Sequence, residues 1–152
     1  MDSSSPPPKR EADGRDIVRL DYAFVAMPFD GDDPQLIDVY EAIKDAAKTC
    51  GIIAERVDDV ESNDRITDRI MESISKAHIV IVDLTKERPN VLFEAGFAHG
   101  VGKTPIYIAR SGTQIHFDVK DYPVIMFRNM KELKEGVIKR LRALSVTNPT
   151  QL

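Results

Sequence analysis

At 152 residues, with 42% hydrophobic and 30% charged positions, the chain suits one domain built on a single sizeable core. A net charge of −4 and a pI of about 5.4 leave no global basic field, which disfavours binding to nucleic-acid polymers. No apolar run approaches the roughly 20 residues that span a bilayer, the N-terminus lacks the apolar core of a signal peptide, and one cysteine, Cys50, excludes an internal disulfide framework. The expectation is a cytoplasmic protein with no membrane partner.

Residues 1–16 carry serines, three consecutive prolines and mixed charge, the composition of a disordered tail. One α/β domain is expected over 17–145, followed by a flexible tail at 146–152. Tyr22 to Met27 (YAFVAM) reads as the first strand, apolar on both faces as a central parallel strand is, and Pro28 stops it. Asp30-Gly31-Asp32-Asp33-Pro34 is a turn. Its acids lack the spacing and terminal glutamate of a calcium loop. A helix follows over 35–49, with Leu36, Val39, Tyr40, Ile43, Ala46 and Ala47 recurring at three and four, and Gly51 closing it. Cys50 continues this apolar face and reads as a buried, inert thiol.

Ile52 to Val57 is the second strand, with Asp58 at its carboxyl end, where ligands of parallel sheets sit. Ser62, Asn63 and Asp64 offer cap side chains for a helix over 65–76 whose buried stripe is Ile66, Ile70, Met71 and Ile74. Its opening residues Asp64, Arg65 and Thr67 either contact a ligand or form a solvated first turn.

The chain's centre is HIVIVDLTKERPNVLFEAGFAHGVGKTPIYIA, residues 78–109: strand, polar loop, helix, strand. Two apolar strands joined through a helix form a βαβ unit and imply a parallel sheet. Asp83, Asn90 and Glu94 fall at its ligand-bearing edge. Val124 to Phe127 is a fifth strand, and 131–144 a last helix with Leu133, Val137, Leu141 and Leu144 facing inward. The pattern predicts a flavodoxin-like three-layer sandwich whose five-stranded parallel sheet is ordered 2-1-3-4-5.

Glu94 is the only formal charge between Asn90 and Lys103, so its helix reads as nearly buried. Burial raises a carboxyl's pKa, while a helix N-terminus and donors oppose this. Such a group serves as nucleophile or acid–base; the other reading is a first-turn glutamate satisfying the helix dipole. Ala95, Gly96, Ala98, Gly100 and Gly102 permit either a ligand or the sheet to approach closely. His99 is five positions from Glu94, roughly 140° around the helix, so a Glu–His dyad is not expected and a hydrogen-bonded structural histidine is. No histidine pair has ligand spacing, and no metal site is expected. Gly100 to Thr104 mimics the end of a phosphate loop but follows a helix rather than preceding one. Asp83 binds a ribose hydroxyl, holds a catalytic group, or caps the next turn; Asn90 is an N-cap, a substrate donor, or both.

The segments FVAMPFD (24–30), DRITDRI (64–70), AHIVIVDLT (77–85), PNVLFEAGFAHGVGK (89–103) and HFDVKDYPVIMF (116–127) resemble nucleoside 2-deoxyribosyltransferase-like proteins and the related TIR-like nucleotide-binding proteins. The resemblance covers about 22–144. It implies cleavage of the N-glycosidic bond of a nucleoside or nucleotide, by hydrolysis or transfer, without a cofactor. Glu94, in the E-x-G-x-A pattern that includes Gly96, is implied as nucleophile. Pro28-Phe29 is similar to the A-x-P-F element lining the sugar and base pocket, and Asp83 to the strand-end carboxylate. Arg88 stands where the transferases tend to carry an aspartate, and Met27 where they carry glycine. Basic Lys86 and Arg88 suit a phosphorylated substrate, a nucleoside monophosphate or a dinucleotide. The TIR-like resemblance implies instead an NAD hydrolase or cyclase in bacterial defence, with NAD as substrate. A third reading is a nucleotide-binding module without turnover. Relatives that complete the pocket with a neighbour's residues imply a homo-oligomer, for which Tyr122 and Phe117 are exposed candidates.

Overall fold

A computed structural model of the chain describes residues 17–57, 66–115 and 121–147. The expected residues Asp58, Ser62 to Arg65, His116 and Phe117 lie outside them. The elements are β1 (Arg19–Ala26), α1 (Gln35–Thr49), β2 (Ile53–Glu55), α2 (Ile66–Lys76), β3 (Ala77–Asp83), a short 3-10 turn (Thr85–Glu87), α3 (Pro89–Gly100), β4 (Ile106–Arg110), β5 (Val124–Phe127) and α4 (Met130–Thr147). The strands form one sheet in the order β2-β1-β3-β4-β5, and every neighbouring pair is parallel. This is the flavodoxin-like sandwich expected from the alternation of apolar strands and helices.

Alternation along each strand splits the core in two. Ala23, Val25, Ile79, Ile81, Ile106 and Ile108 pack under α1 and α4, with Leu133, Val137 and Leu141 closing from above. Tyr22, Phe24, Val80, Val82 and Tyr107 pack under α2 and α3, against Ile74, Val91, Ala95 and Ala98. Both faces of β1 and β3 are covered, which is why their sequences are continuous apolar runs. Each large side chain buried here stabilises the fold by roughly 1.5–3 kcal/mol. The chain leaves β1 toward β2, then returns to place β3 on the other side of β1. The sheet order therefore switches direction between these strands, and a crevice opens beyond their carboxyl ends.

Several local readings need correction. β1 begins at Arg19, ahead of Tyr22, as an exposed extension paired to Ala77 across a register shift. α3 begins at Pro89 because proline has no N–H to lose in a first helical turn. Cys50 is half-buried at the end of α1, rather than sealed in the core. In α2 only Ile74 is fully buried; Ile66 is exposed and Ile70 half-buried. α3 is not nearly buried either. Val91, Glu94, Ala95 and Ala98 face inward, while Phe93, Gly96, Gly100 and Val101 leave an apolar flank in solvent. An uncharged helix face is not a covered one. No described helix is long and apolar enough to cross a membrane.

Candidate active site

The crevice holds a cavity of about 240 Å³ at the carboxyl ends of β1 and β2, on the α2/α3 side. Phe24, Met27 and Phe29 come from β1 and the loop after it, Arg56 and Val57 follow β2, Ile66 and Ile70 open α2, and Asn90 and Glu94 lie on α3. The lining is mostly apolar, with an amide, a guanidinium and a carboxyl as its polar groups.

Glu94 is 8% exposed. It sits in the second turn of α3, whose first turn carries no acid, so satisfaction of the helix dipole does not explain it. Its carboxyl has no hydrogen-bond partner among the described residues, and burial pushes its pKa from 4.5 up to about 7. The donors expected to oppose that shift are not found among the described residues. A carboxyl poised there exchanges protons readily near neutral pH and, once ionised, is a weakly solvated nucleophile.

Asn90 also lines the cavity. The residue before α3 is Arg88, with no side-chain cap, so Asn90 lies inside the helix and is not its N-cap. Phe29 lines the cavity while 57% exposed, and Pro28 beside it is buried where β1 ends. Of the residues expected at one edge of the sheet, Asn90 and Glu94 line this cavity and Asp83 does not; Phe29, implied by the resemblance alone, lines it with them.

The other candidates are placed elsewhere. Asp83 is 1% exposed and points to the α1/α4 side of the sheet, since it follows Ile79 and Ile81 in alternation. Its Oδ1 accepts the Thr85 N–H at 2.9 Å, the turn-capping reading, and Oδ2 is buried without a hydrogen-bond partner among the described residues. Burial raises its pKa, opposed by Thr85. Arg88 is outside the cavity lining; its guanidinium donates to Asp30 at 3.3 Å. Lys86 pairs with Asp30 at 2.7 Å and Asp33 at 3.2 Å, and Arg110 donates to Asp33 at 2.9 Å. The acids of the first turn therefore clamp it to the loop before α3, and the basic pair expected to meet a phosphate is already engaged. Gly96 is exposed, with open space where a Cβ would stand. Thr67 is exposed in a solvated first turn. His99 is the structural histidine expected: its Nε2 and the Tyr107 hydroxyl are hydrogen-bonded at 2.8 Å, and its ring lies 4.9 Å from that of Tyr122. No cluster of three or more potential metal ligands occurs among the described residues.

Sequence reasoning missed Arg56. It lies immediately beyond β2, where the same edge argument that selected Asp58 applies, in the run IIAERV. A cation breaking an apolar strand end was the available signal. Ile66 and Ile70 were read as core, whereas they form a cavity wall.

No protein-family model and no curated protein matches the chain. Solved structures do. A CMP N-glycosidase of Clostridium botulinum aligns over 82% of this chain and 98% of its own, at 17% identity and a TM-score of 0.59. A 2-deoxyribosyltransferase of Bacillus psychrosaccharolyticus aligns over 79% and 95%, at 17% identity and a TM-score of 0.60. A 2-deoxyribosyltransferase of Leishmania mexicana aligns over 72% and 75%, at 19% identity and a TM-score of 0.50. At these identities what the chain shares with them is the fold, over nearly the full length of the first two.

Proposed function

We propose that the chain cleaves the N-glycosidic bond of a nucleoside or nucleotide, by hydrolysis or transfer, with Glu94 as nucleophile. The observation that carries this reading is a buried carboxyl, without a described partner, facing a mostly apolar cavity beyond the carboxyl ends of β1 and β2. Fold neighbours named as a CMP N-glycosidase and 2-deoxyribosyltransferases act on this bond type.

In this mechanism a carboxylate oxygen of Glu94 attacks the anomeric carbon. The C–N bond breaks, its electron pair leaves with the base, and the base takes up a proton. A glycosyl ester on Glu94 remains. Water, losing a proton, attacks the same carbon from the vacated face and restores the carboxylate; a second base in place of water gives transfer. Two displacements retain the configuration. The apolar walls keep the carboxylate weakly solvated, and the Asn90 amide is available to a sugar hydroxyl.

Glu94→Gln removes the attacking charge and keeps the shape. Incubated with nucleosides, nucleoside monophosphates and NAD, the native chain is expected to release free base. The variant is expected to lose about a thousandfold or more in rate, the scale of a lost nucleophile, while still binding ligand. Unchanged turnover would sink the assignment. Nicotinamide release from NAD would favour the TIR-like reading, and binding without release by the native chain a module in which Glu94 is a contact.

A further inference from the structure

We propose that Tyr40 and Arg56 are positioning residues that hold Phe29 as a wall of the Glu94 cavity from the far face of the sheet; the proposal rests on the glycosidase reading above only for the ligand used to test it. Four side chains form a row in which cations and rings alternate. The Lys44 ammonium lies 4.6 Å from the centroid of the Tyr40 ring, and the Arg56 guanidinium carbon lies 4.7 Å from the same centroid. That carbon is 4.2 Å from the centroid of the Phe29 ring. Tyr40 and Lys44 are one turn apart on α1, and Tyr40 packs against the core of the α1/α4 side. Arg56 and Phe29 line the cavity on the α2/α3 side. The row thus passes around the carboxyl end of β2, an edge strand, from one face of the sheet to the other.

Phe29 needs such support. It follows the end of β1, is 57% exposed, and belongs to neither core cluster. A ring on a loop, with solvent over much of its surface, samples several rotamers unless a neighbour selects one. A guanidinium over the ring makes that selection, through the ring's quadrupole and through flat contact. Arg56 is held in turn. Its backbone N–H donates to the Tyr40 hydroxyl at 3.3 Å, so one aromatic residue meets both its main chain and its side chain. Ring contacts engage the faces of a guanidinium and are compatible with hydrogen bonds along its N–H edge. A wall fixed before the ligand arrives lowers the ordering cost of binding. The Phe29 ring is uncharged, so this gain is the same for a charged ligand and a neutral one.

The test uses Tyr40→Leu, which removes the ring, Tyr40→Phe, which keeps it, Phe29→Leu, and the double variant of Tyr40→Leu with Phe29→Leu. Each is checked for folding by its melting midpoint. Nuclear magnetic resonance reads the row directly. Ring currents should move the Arg56 side-chain protons of the native chain upfield of the ordinary arginine range, with part of the shift lost in Tyr40→Leu and part in Phe29→Leu. Ordinary Arg56 shifts in the native chain would overturn the proposal. Binding and base release are then followed for a nucleoside and its 5′-monophosphate. Tyr40→Leu is expected to raise Kd and KM for both by about 3- to 10-fold with kcat within about twofold, and Tyr40→Phe to recover most of the loss. In the Phe29→Leu background Tyr40→Leu should bring no further loss, because Tyr40 acts through that ring. Losses that add in the double variant, or a fall in kcat alone, would overturn the proposal. If Tyr40→Leu does not fold, Arg56→Met takes its place with the same expectations. Binding without base release would reject the glycosidase reading, while the same pattern in Kd upholds the row. Binding of neither ligand would also count against that reading, and the resonance shifts then decide the row.

Discussion

Glu94 and Asp83 are both carboxyls in the same βαβ unit, and burial raises both. They differ in what surrounds them. Asp83 is tied to the Thr85 N–H, whereas Glu94 faces a cavity and has no described donor. The consequence for Glu94 can be signed. Between its unfolded value of 4.5 and its folded value of about 7, the folded chain holds a proton that the unfolded chain has released. Stability therefore falls as pH rises through that window and is constant above it, at a cost on the order of 3 kcal/mol. Glu94→Gln should remove this slope, so the variant should gain in melting midpoint over the native chain as pH rises from 4.5 to 7. Parallel profiles for the two proteins would contradict the burial argument. In the proposed mechanism the attacking form of Glu94 is the ionised one, so kcat/KM for base release should fall on the acid side with an apparent pKa near 7. A lone charge in VLFEAGFAHGVG made Glu94 legible from the sequence. That Asp83 turns away from it was not, because alternation places a residue on a face only once the strand's register and its neighbours are known.

Helix ends and strand ends were the readable features at the scale of single elements. Pro28 just after the end of β1, glycine with a φ of +74° at Gly51 and glycine with a φ of +83° at Gly102 act through the local backbone alone. Close approach between elements is another matter. Gly136 in α4 lies over β5, and a Cβ there would stand 2.6 Å from Ile125 Cγ2. Gly136→Ala would gain about 1 kcal/mol of helix propensity but overpack the contact by about 1–3 kcal/mol. We expect a net loss of stability, read as a lower urea midpoint with unchanged slope; a stabilised variant would show that β5 shifts freely. The glycines of α3 teach the reverse lesson. Gly96 and Gly100 were candidates for close approach, yet open space surrounds both within one copy of the chain.

The arrangement of loops belongs to the whole molecule. The turn after β1 and the loop before α3 are far apart in sequence, and the Asp30, Asp33, Lys86, Arg88 and Arg110 network joins them. Lys86 and Glu87 adopt left-handed backbone, with φ of 66° and 41°, a strain that surrounding contacts must hold. Hydrogen bonds from Arg110 and Lys86 keep the Asp33 carboxyl below its ordinary 3.8, and Lys86 does the same for Asp30. The clamp therefore contributes above that value and is lost as pH falls through the depressed ones, opposite in sign to Glu94. Asp33→Asn is expected to loosen the wall that carries Phe29. Amides of 29–36 should exchange faster and ligand binding should weaken a few-fold, with little change in global melting because neither core cluster includes the clamp. Unaltered exchange in that segment would show that the clamp does not hold the loop.

By itself the sequence determined the order of elements, the parallel sheet and the two-sided burial of β1 and β3, since these follow from hydrophobic periodicity and from the N–H groups that proline lacks. It also singled out Glu94 as the lone formal charge of its helix, whereas Phe29 was marked only by resemblance. Only the tertiary structure decided which charges meet. Lys86 and Arg88 look available in the sequence, but Asp30 and Asp33 engage them from more than 50 residues away. Arg56 looks like an ordinary strand-end residue until Phe29 and Tyr40 are brought against it. Coulombic and π contacts depend on distances of a few ångströms between residues remote in sequence, and only the packed sheet sets those distances.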